Sequence, residues 1–331
     1  MSYSRLIPAL ACVLALAACG SPSATPTSSA SASTSATPSA SATPTATPTA
    51  TVATVDSLDG IKVTGKRLAK PTVSFKAPLA IDKTRVEVLE AGSGPGALAD
   101  GNVTVHYYGV DGRTGKEFDE SFSDGAPVTF SLAQVVPGFT KGLTGQKAGS
   151  RVLIAMPGAD GYDSGGGNPE AGIEVGDTLI FVVDVISVSV AAPSGKVITP
   201  PAGLPTVTAG SDKPTVTIPS GNPPARMVNQ PLIEGTGAKV AEDDTITARY
   251  VGFSWKTGKL IDDGFDTPTS GALTDLIPGW QTGLLGKRVG SRVLLVLPPA
   301  DGFPQGSNNP PVEAGDTVVY VIDLLFTAAS A

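Results

Sequence analysis

VVPGFTKGLTGQKAGSRVLIAMP, residues 135–157, returns as LIPGWQTGLLGKRVGSRVLLVLP at residues 276–298. Each stretch reads as a short helix followed by a strand. Pro137 and Pro278 suit the first helical turn, where the missing N–H costs nothing. A short amphipathic helix is expected from about Pro137 to Leu143, then a strand at Arg151–Met156. Working outward, Val103 to Tyr108 alternates and is β-branched, and Thr178 to Val185 is apolar enough for a central strand. Further matches keep the same order. Lys70-Pro71-Thr72-Val73 recurs as Lys213-Pro214-Thr215-Val216, Tyr107-Tyr108-Gly109 as Tyr250-Val251-Gly252, and Gly176-Asp177-Thr178 as Gly315-Asp316-Thr317. A period near 140 residues marks a duplicated domain rather than a solenoid. With 39 Gly and 29 Pro in 331 residues, turn-rich β structure is favoured over long helices. The expected class is therefore α+β: two copies of a twisted antiparallel sheet wrapped around one short helix.

Composition excludes several functions. The net charge of −7 leaves no basic nucleic-acid footprint. One His and two Cys rule out zinc fingers, His-cluster metal sites and a disulfide scaffold. Triad chemistry would rest on His106 alone, and no Ser or Cys motif is there for it to serve, so His106 reads as structural. The Asp-Gly pairs at 111–112, 160–161 and 263–264 lack the spaced oxygens of a calcium loop and read as turns. Ser164-Gly165-Gly166-Gly167-Asn168 lacks the Gly-Lys-Ser/Thr of a phosphate loop and reads as a flexible flap. Neither a metal nor a cofactor is expected.

The N-terminal end reads as targeting rather than fold. Arg5 precedes an apolar run of signal-peptide length, too short for a membrane span. Leu16-Ala17-Ala18-Cys19 then resembles a bacterial lipoprotein box. That resemblance implies a signal peptide at 1–18, a lipidated Cys19 and an extracytoplasmic chain anchored to the cell membrane. Residues 21–50 are Ser, Pro, Ala and Thr only, too small and uncharged to build a core. Residues 19–59 are expected as a tether, 60–190 as domain 1, 191–212 as a linker and 213–331 as domain 2.

The motifs, in this order and twice over, resemble the FKBP family of peptidyl-prolyl cis-trans isomerases. The carriers in copy 1 are His106-Tyr107-Tyr108-Gly109, Gly115 to Ser121, Val135 to Phe139, Gly149-Ser150-Arg151 and Gly161-Tyr162. The resemblance covers roughly 85–190 and 226–328 and implies a half-barrel sheet around a short helix. It implies prolyl isomerisation of exported or surface proteins, with proline-containing segments as partners and macrolides as inhibitors. The poverty in catalytic side chains fits, because rotation about an X–Pro bond breaks no bond and moves no proton. The second possibility is a membrane-tethered module that binds peptides as a chaperone without turnover.

By the same resemblance, Tyr107, Phe118, Asp119, Phe139, Tyr162 and Phe181 carry catalysis in copy 1, and Phe130, Val135, Val136 and Ile173 bind substrate. Phe139 is the expected floor, with Asp119 and Tyr162 as polar groups at the rim. Val135 and Phe181 read equally well as plain core. Copy 2 offers Tyr250, Asp262, Leu276, Ile277, Trp280, Phe303, Val312 and Tyr320. There Ile261 replaces the aromatic beside the acid, no Phe answers Phe130, and Phe303 lacks the hydroxyl of Tyr162. Copy 1 is therefore expected to be the better enzyme.

Overall fold

The computed structural model describes residues 52–208 and 212–329. The signal peptide, Cys19 and most of the tether lie outside the described residues. In copy 1, β1 (Lys62–Thr64) and β2 (Thr72–Ser74) form a hairpin. The main sheet holds β3 (Arg85–Glu90), β4 (Asn102–Asp111), β5 (Glu117–Glu120), β6 (Val128–Ser131), β7 (Arg151–Met156) and β8 (Leu179–Val188). Its order is β3-β7-β8-β4-β5, with β6 also paired to β4 and every pairing antiparallel. The one α-helix of this copy, α1 (Pro137–Leu143), starts on its proline as expected.

Copy 2 repeats the plan. It begins upstream of residue 213, inside the segment expected as a linker. There β9 (Lys196–Val197) pairs along β12 (Val228–Glu234), and β10 (Thr206–Val207) forms a hairpin with β11 (Val216–Thr217). The sheet continues through β13 (Asp244–Ser254), β14 (Leu260–Asp263), β15 (Thr269–Ala272), β16 (Arg292–Leu297) and β17 (Val318–Ala329). Its order is β9-β12-β16-β17-β13-β14, with β15 paired to β13. The helix α2 (Pro278–Leu284) corresponds to α1. The copies touch where Val190 N–H donates to Leu325 O at 2.9 Å and Ser187 Oγ to Thr327 O at 3.1 Å.

Each helix packs closely on its sheet because glycines face it. A Cβ on Gly142 would sit 2.6 Å from Ile154 Cδ1, and one on Gly283 2.7 Å from Leu295 Cδ2. Side chains alternate across a strand, so Val152, Ile154, Met156, Phe181 and Val183 face α1. Leu153, Ala155, Ile180 and Val182 face the other way, yet they too are fully buried, under Leu58, Ile61, Val63 and Val73. The hairpin thus covers the outer face of the sheet. Burial on both faces explains why β7 and β8 are continuous apolar runs rather than alternating ones. Leu58 belongs to this cover, although the sequence placed it in the tether. Leu204, Val207, Val216 and Ile218 play the same part in copy 2.

A buried ion pair clasps the cover to the sheet. Arg151, from the Gly-Ser-Arg motif, meets Asp184 through Nε–Oδ1 at 2.7 Å and Nη2–Oδ2 at 2.8 Å. The same guanidinium donates to Gly65 O and Ala69 O in the hairpin loop, and Leu68 N–H donates to Asp184. Arg292 and Asp323 repeat the pair at 2.6 and 2.8 Å. The repeated Lys-Pro-Thr-Val motif adds a surface tie: Lys70 bridges Glu117 and Glu120, and Lys213 pairs with Asp263.

Candidate active site

In copy 1 the helix-facing side of the sheet gathers the expected residues into one aromatic cluster. Phe139, from the first turn of α1, is 9% exposed, with its ring 4.6 Å from that of Phe181 on β8. Phe118 on β5 meets Phe181 edge-on at 5.4 Å, and Phe130 on β6 meets Phe139 at 5.7 Å. Gly109 makes room for this wall, since a Cβ there would stand 2.8 Å from Phe118 and 2.9 Å from Phe181. Val135, Val136 and Tyr162 are half-buried against the cluster, and Ile173 is buried within it.

The polar part of the site is a tyrosine–carboxylate pair. Tyr107 Oη donates to Asp119 Oδ2 at 2.7 Å. Burial raises the Asp119 pKa above the ordinary aspartate value, against the opposing pull of the Tyr107 bond. Burial, then the hydrogen bond to Asp119, pushes the Tyr107 hydroxyl far upward, so it stays a donor. Tyr162 is raised by burial and by the nearby Asp119 charge, and its hydroxyl makes no hydrogen bond among the described residues. His106 points away from this group. It stacks on Phe122 at 4.8 Å and meets Ser121 Oγ at 3.0 Å through Nδ1.

Copy 2 holds an open cavity of about 290 Å³. Tyr250, Asp262, Leu276, Ile277, Trp280, Phe303 and Tyr320 line it, while Val312 is buried in the cluster beneath. Trp280 forms the floor at 7% exposure, edge-on to Tyr250 at 5.0 Å and to Tyr320 at 5.3 Å. Its Nε1 is buried without a hydrogen-bond partner among the described residues. Gly252 admits Tyr320 as Gly109 admits Phe181.

Sequence reading missed several lining residues, among them Ile246, Ala248, Ser270, Gly271 and Pro310. The alternation of β13 already aimed Ile246 and Ala248 the same way as Tyr250. Gly271 was hidden by the two-residue deletion. Pairing shows that it stands opposite Ile246 as Phe130 stands opposite Val103. A glycine where copy 1 has a phenylalanine leaves one side of the cavity open.

The pattern of FKBP-type peptidyl-prolyl cis-trans isomerases matches residues 95–186 and 237–325, more than half of the chain. The chain belongs to this family. The FKBP-type relatives include the FK506-binding protein of Streptomyces anulatus, 38% identical over 37% of this chain and 98% of that protein. The probable FK506-binding protein of Corynebacterium glutamicum is 35% identical over 34% and 98%. The isomerase FkpA of Escherichia coli K12 is 36% identical over 31% of this chain and 36% of its own. Among solved structures, a Pseudomonas syringae peptidyl-prolyl isomerase is 30% identical over 32% of this chain and 76% of its own, with a TM-score of 0.29. Tandem domains of the FKBP type, built mostly of strands, account for both repeats.

Proposed function

We propose that this protein is a prolyl isomerase tethered by a lipid on Cys19 outside the cell membrane, acting on proline-containing segments of exported proteins. The aromatic enclosure around Tyr107 and Asp119 carries this reading, with each sheet curled around its helix as the family half-barrel. The barrier to X–Pro rotation is ~20 kcal/mol and arises from lost amide resonance. The twisted amide is less polar than the planar one. Phe118, Phe130, Phe139 and Phe181 offer it an apolar surround, and the Tyr162 hydroxyl is free to hold a flanking carbonyl. No titrating base is needed, so His106→Gln is expected to leave the rate unchanged.

Copy 1, with four phenylalanines, is proposed as the main catalyst, and macrolides of the FK506 type as competitors. The open, glycine-sided cavity of copy 2 supports peptide holding there in place of fast turnover. A protease-coupled assay on a Pro-containing tetrapeptide anilide tests the reading with the full chain. Acceleration is expected, with Asp119→Asn slowing it more than Asp262→Asn. A rate equal to the uncatalysed one refutes isomerisation, and the reverse order of the variants refutes the ranking. Cys19→Ala is expected to move the protein out of the membrane fraction; retention there after normal cleavage refutes the anchor.

A further inference from the structure

The two sites assign their tyrosines differently. In copy 1, Tyr107 on β4 serves the carboxylate, and Tyr162 in the loop after β7 keeps a free hydroxyl. In copy 2 the acid is served from another strand. Tyr320 on β17, at the position of Phe181, donates to Asp262 Oδ2 at 3.1 Å. Tyr250, at the position of Tyr107, is thereby released. Its ring lines the cavity, and its hydroxyl makes no hydrogen bond among the described residues. Phe303, at the position of Tyr162, lines the same cavity without a hydroxyl. Each site therefore has one tyrosine bound to the acid and one with a free hydroxyl, although the residues that play these parts have changed places.

We infer that Tyr250 is the ligand-binding hydroxyl of the second pocket, replacing there the donor that Phe303 lost, so that this pocket binds prolyl peptides. Tyr250 lines the cavity and carries the free tyrosine hydroxyl there, whereas Trp280 Nε1 is buried below the cavity surface. A free tyrosine hydroxyl at this wall suits a carbonyl oxygen that flanks an X–Pro bond. Asp262 takes its tyrosine hydrogen bond from Tyr320 and makes none with Tyr250. The substitution of Phe181 by Tyr320 and the loss of the hydroxyl at Phe303 are then one coupled change. The inference rests on the proposed prolyl-peptide reading and extends it to the domain that sequence alone ranked as deficient.

The chain carries its own probe. Both tryptophans lie in copy 2: Trp280 on the cavity floor, and Trp255 in the outer-face cluster with its Nε1 bonded to Gly221 O. Tryptophan emission of the full chain therefore reports occupancy of the second pocket. Titration with acetyl-Ala-Leu-Pro-Phe-amide is expected to give a saturating emission change. Tyr250→Phe keeps the ring and its contact with Trp280, and is expected to weaken binding by about 3- to 10-fold, the range for one neutral hydrogen bond. Adding Phe303→Tyr to that variant is expected to restore most of the affinity. An unchanged affinity in Tyr250→Phe, no rescue by Phe303→Tyr, or no emission change in the parent chain each overturns the inference. The coupled isomerisation assay on the same samples separates the two claims. Acceleration with an indifferent Tyr250→Phe titration sinks only this inference, whereas absent acceleration sinks the isomerase reading.

Discussion

Replacing Arg151 by Met removes the clasp between the outer hairpin and the sheet of copy 1. Arg151 is 3% exposed and Asp184 0%, so the pair lies away from water. Without the guanidinium, Asp184 keeps the Leu68 N–H at 2.6 Å, and the Gly65 and Ala69 carbonyls lose their donor. Breaking one side of a buried pair costs about 3–5 kcal/mol, because the remaining charge stays buried. The pocket lies on the other face of the sheet, so binding at low temperature should persist. Native-state hydrogen exchange reads the effect segment by segment. The opening free energy of 62–74, β7 and β8 should fall by about 3–5 kcal/mol, with copy 2 changing by less than about 0.5 kcal/mol away from the contact. Arg292→Met should cost less, because Arg249 Nη2 remains 3.7 Å from Asp323 Oδ2. The double change Arg151→Met with Asp184→Leu should recover much of the loss, since two apolar side chains leave no stranded charge. A loss below about 1 kcal/mol for Arg151→Met, or a larger loss for Arg292→Met, refutes the clasp.

Three further outcomes are expected. Asp119→Asn keeps the shape of the first site and accepts the Tyr107 hydrogen bond through its amide oxygen, so the coupled-assay rate should fall by about 10-fold or less. Burial raises the Asp111 pKa, against its Thr114 bonds and with Asp177 adding to the rise. That group's stabilisation is full below the ordinary aspartate pKa and is lost as pH rises through the raised value. Asp111→Ser copies Ser254, which bonds Asp316 in copy 2, and should make copy 1 more stable at neutral pH and flatten the fall of its denaturant midpoint as pH rises above the ordinary aspartate pKa. Gly271→Phe has room, since its Cβ would meet only Leu276 Cδ2 at 3.8 Å, and should shield Trp280 from acrylamide quenching; unchanged quenching would refute the register that puts Gly271 at the position of Phe130.

Much of the fold was legible because the duplication repeats its own constraints. A proline that starts a helix, glycines that face a sheet and a glycine beneath an aromatic wall leave the same marks twice. The outer cover was less legible. Its signals were the Lys-Pro-Thr-Val repeat and the unbroken apolar runs of β7 and β8, which require two buried faces. Read alone, those runs fit a central strand of any sheet. Deletion near Gly271 hid a register that backbone pairing makes plain. The exchange of tyrosine roles was not legible at all. Which hydroxyl reaches Asp262 depends on side-chain positions across three strands, and residue identity says only that Tyr250 and Tyr320 are both present.

The strand β9 has a consequence for solubility. Two copies of one sheet on a single chain bring two like edges to high local concentration, and an open edge is a template for pairing with another. In copy 2, β9 covers the C-terminal end of β12, with Lys196 opposite Glu234 and Val197 opposite Ile233, and Ile198 N–H extends the ladder to Leu232 O. In copy 1 no strand lies beyond β3 among the described residues, and Val86, Val88 and Leu89 are 37–48% exposed there. Arg85, Glu87 and Glu90 interrupt that edge with charge. The chain between the copies thus does more than join them: by covering one end of this edge, it shortens the partner that the other edge would most readily find during folding.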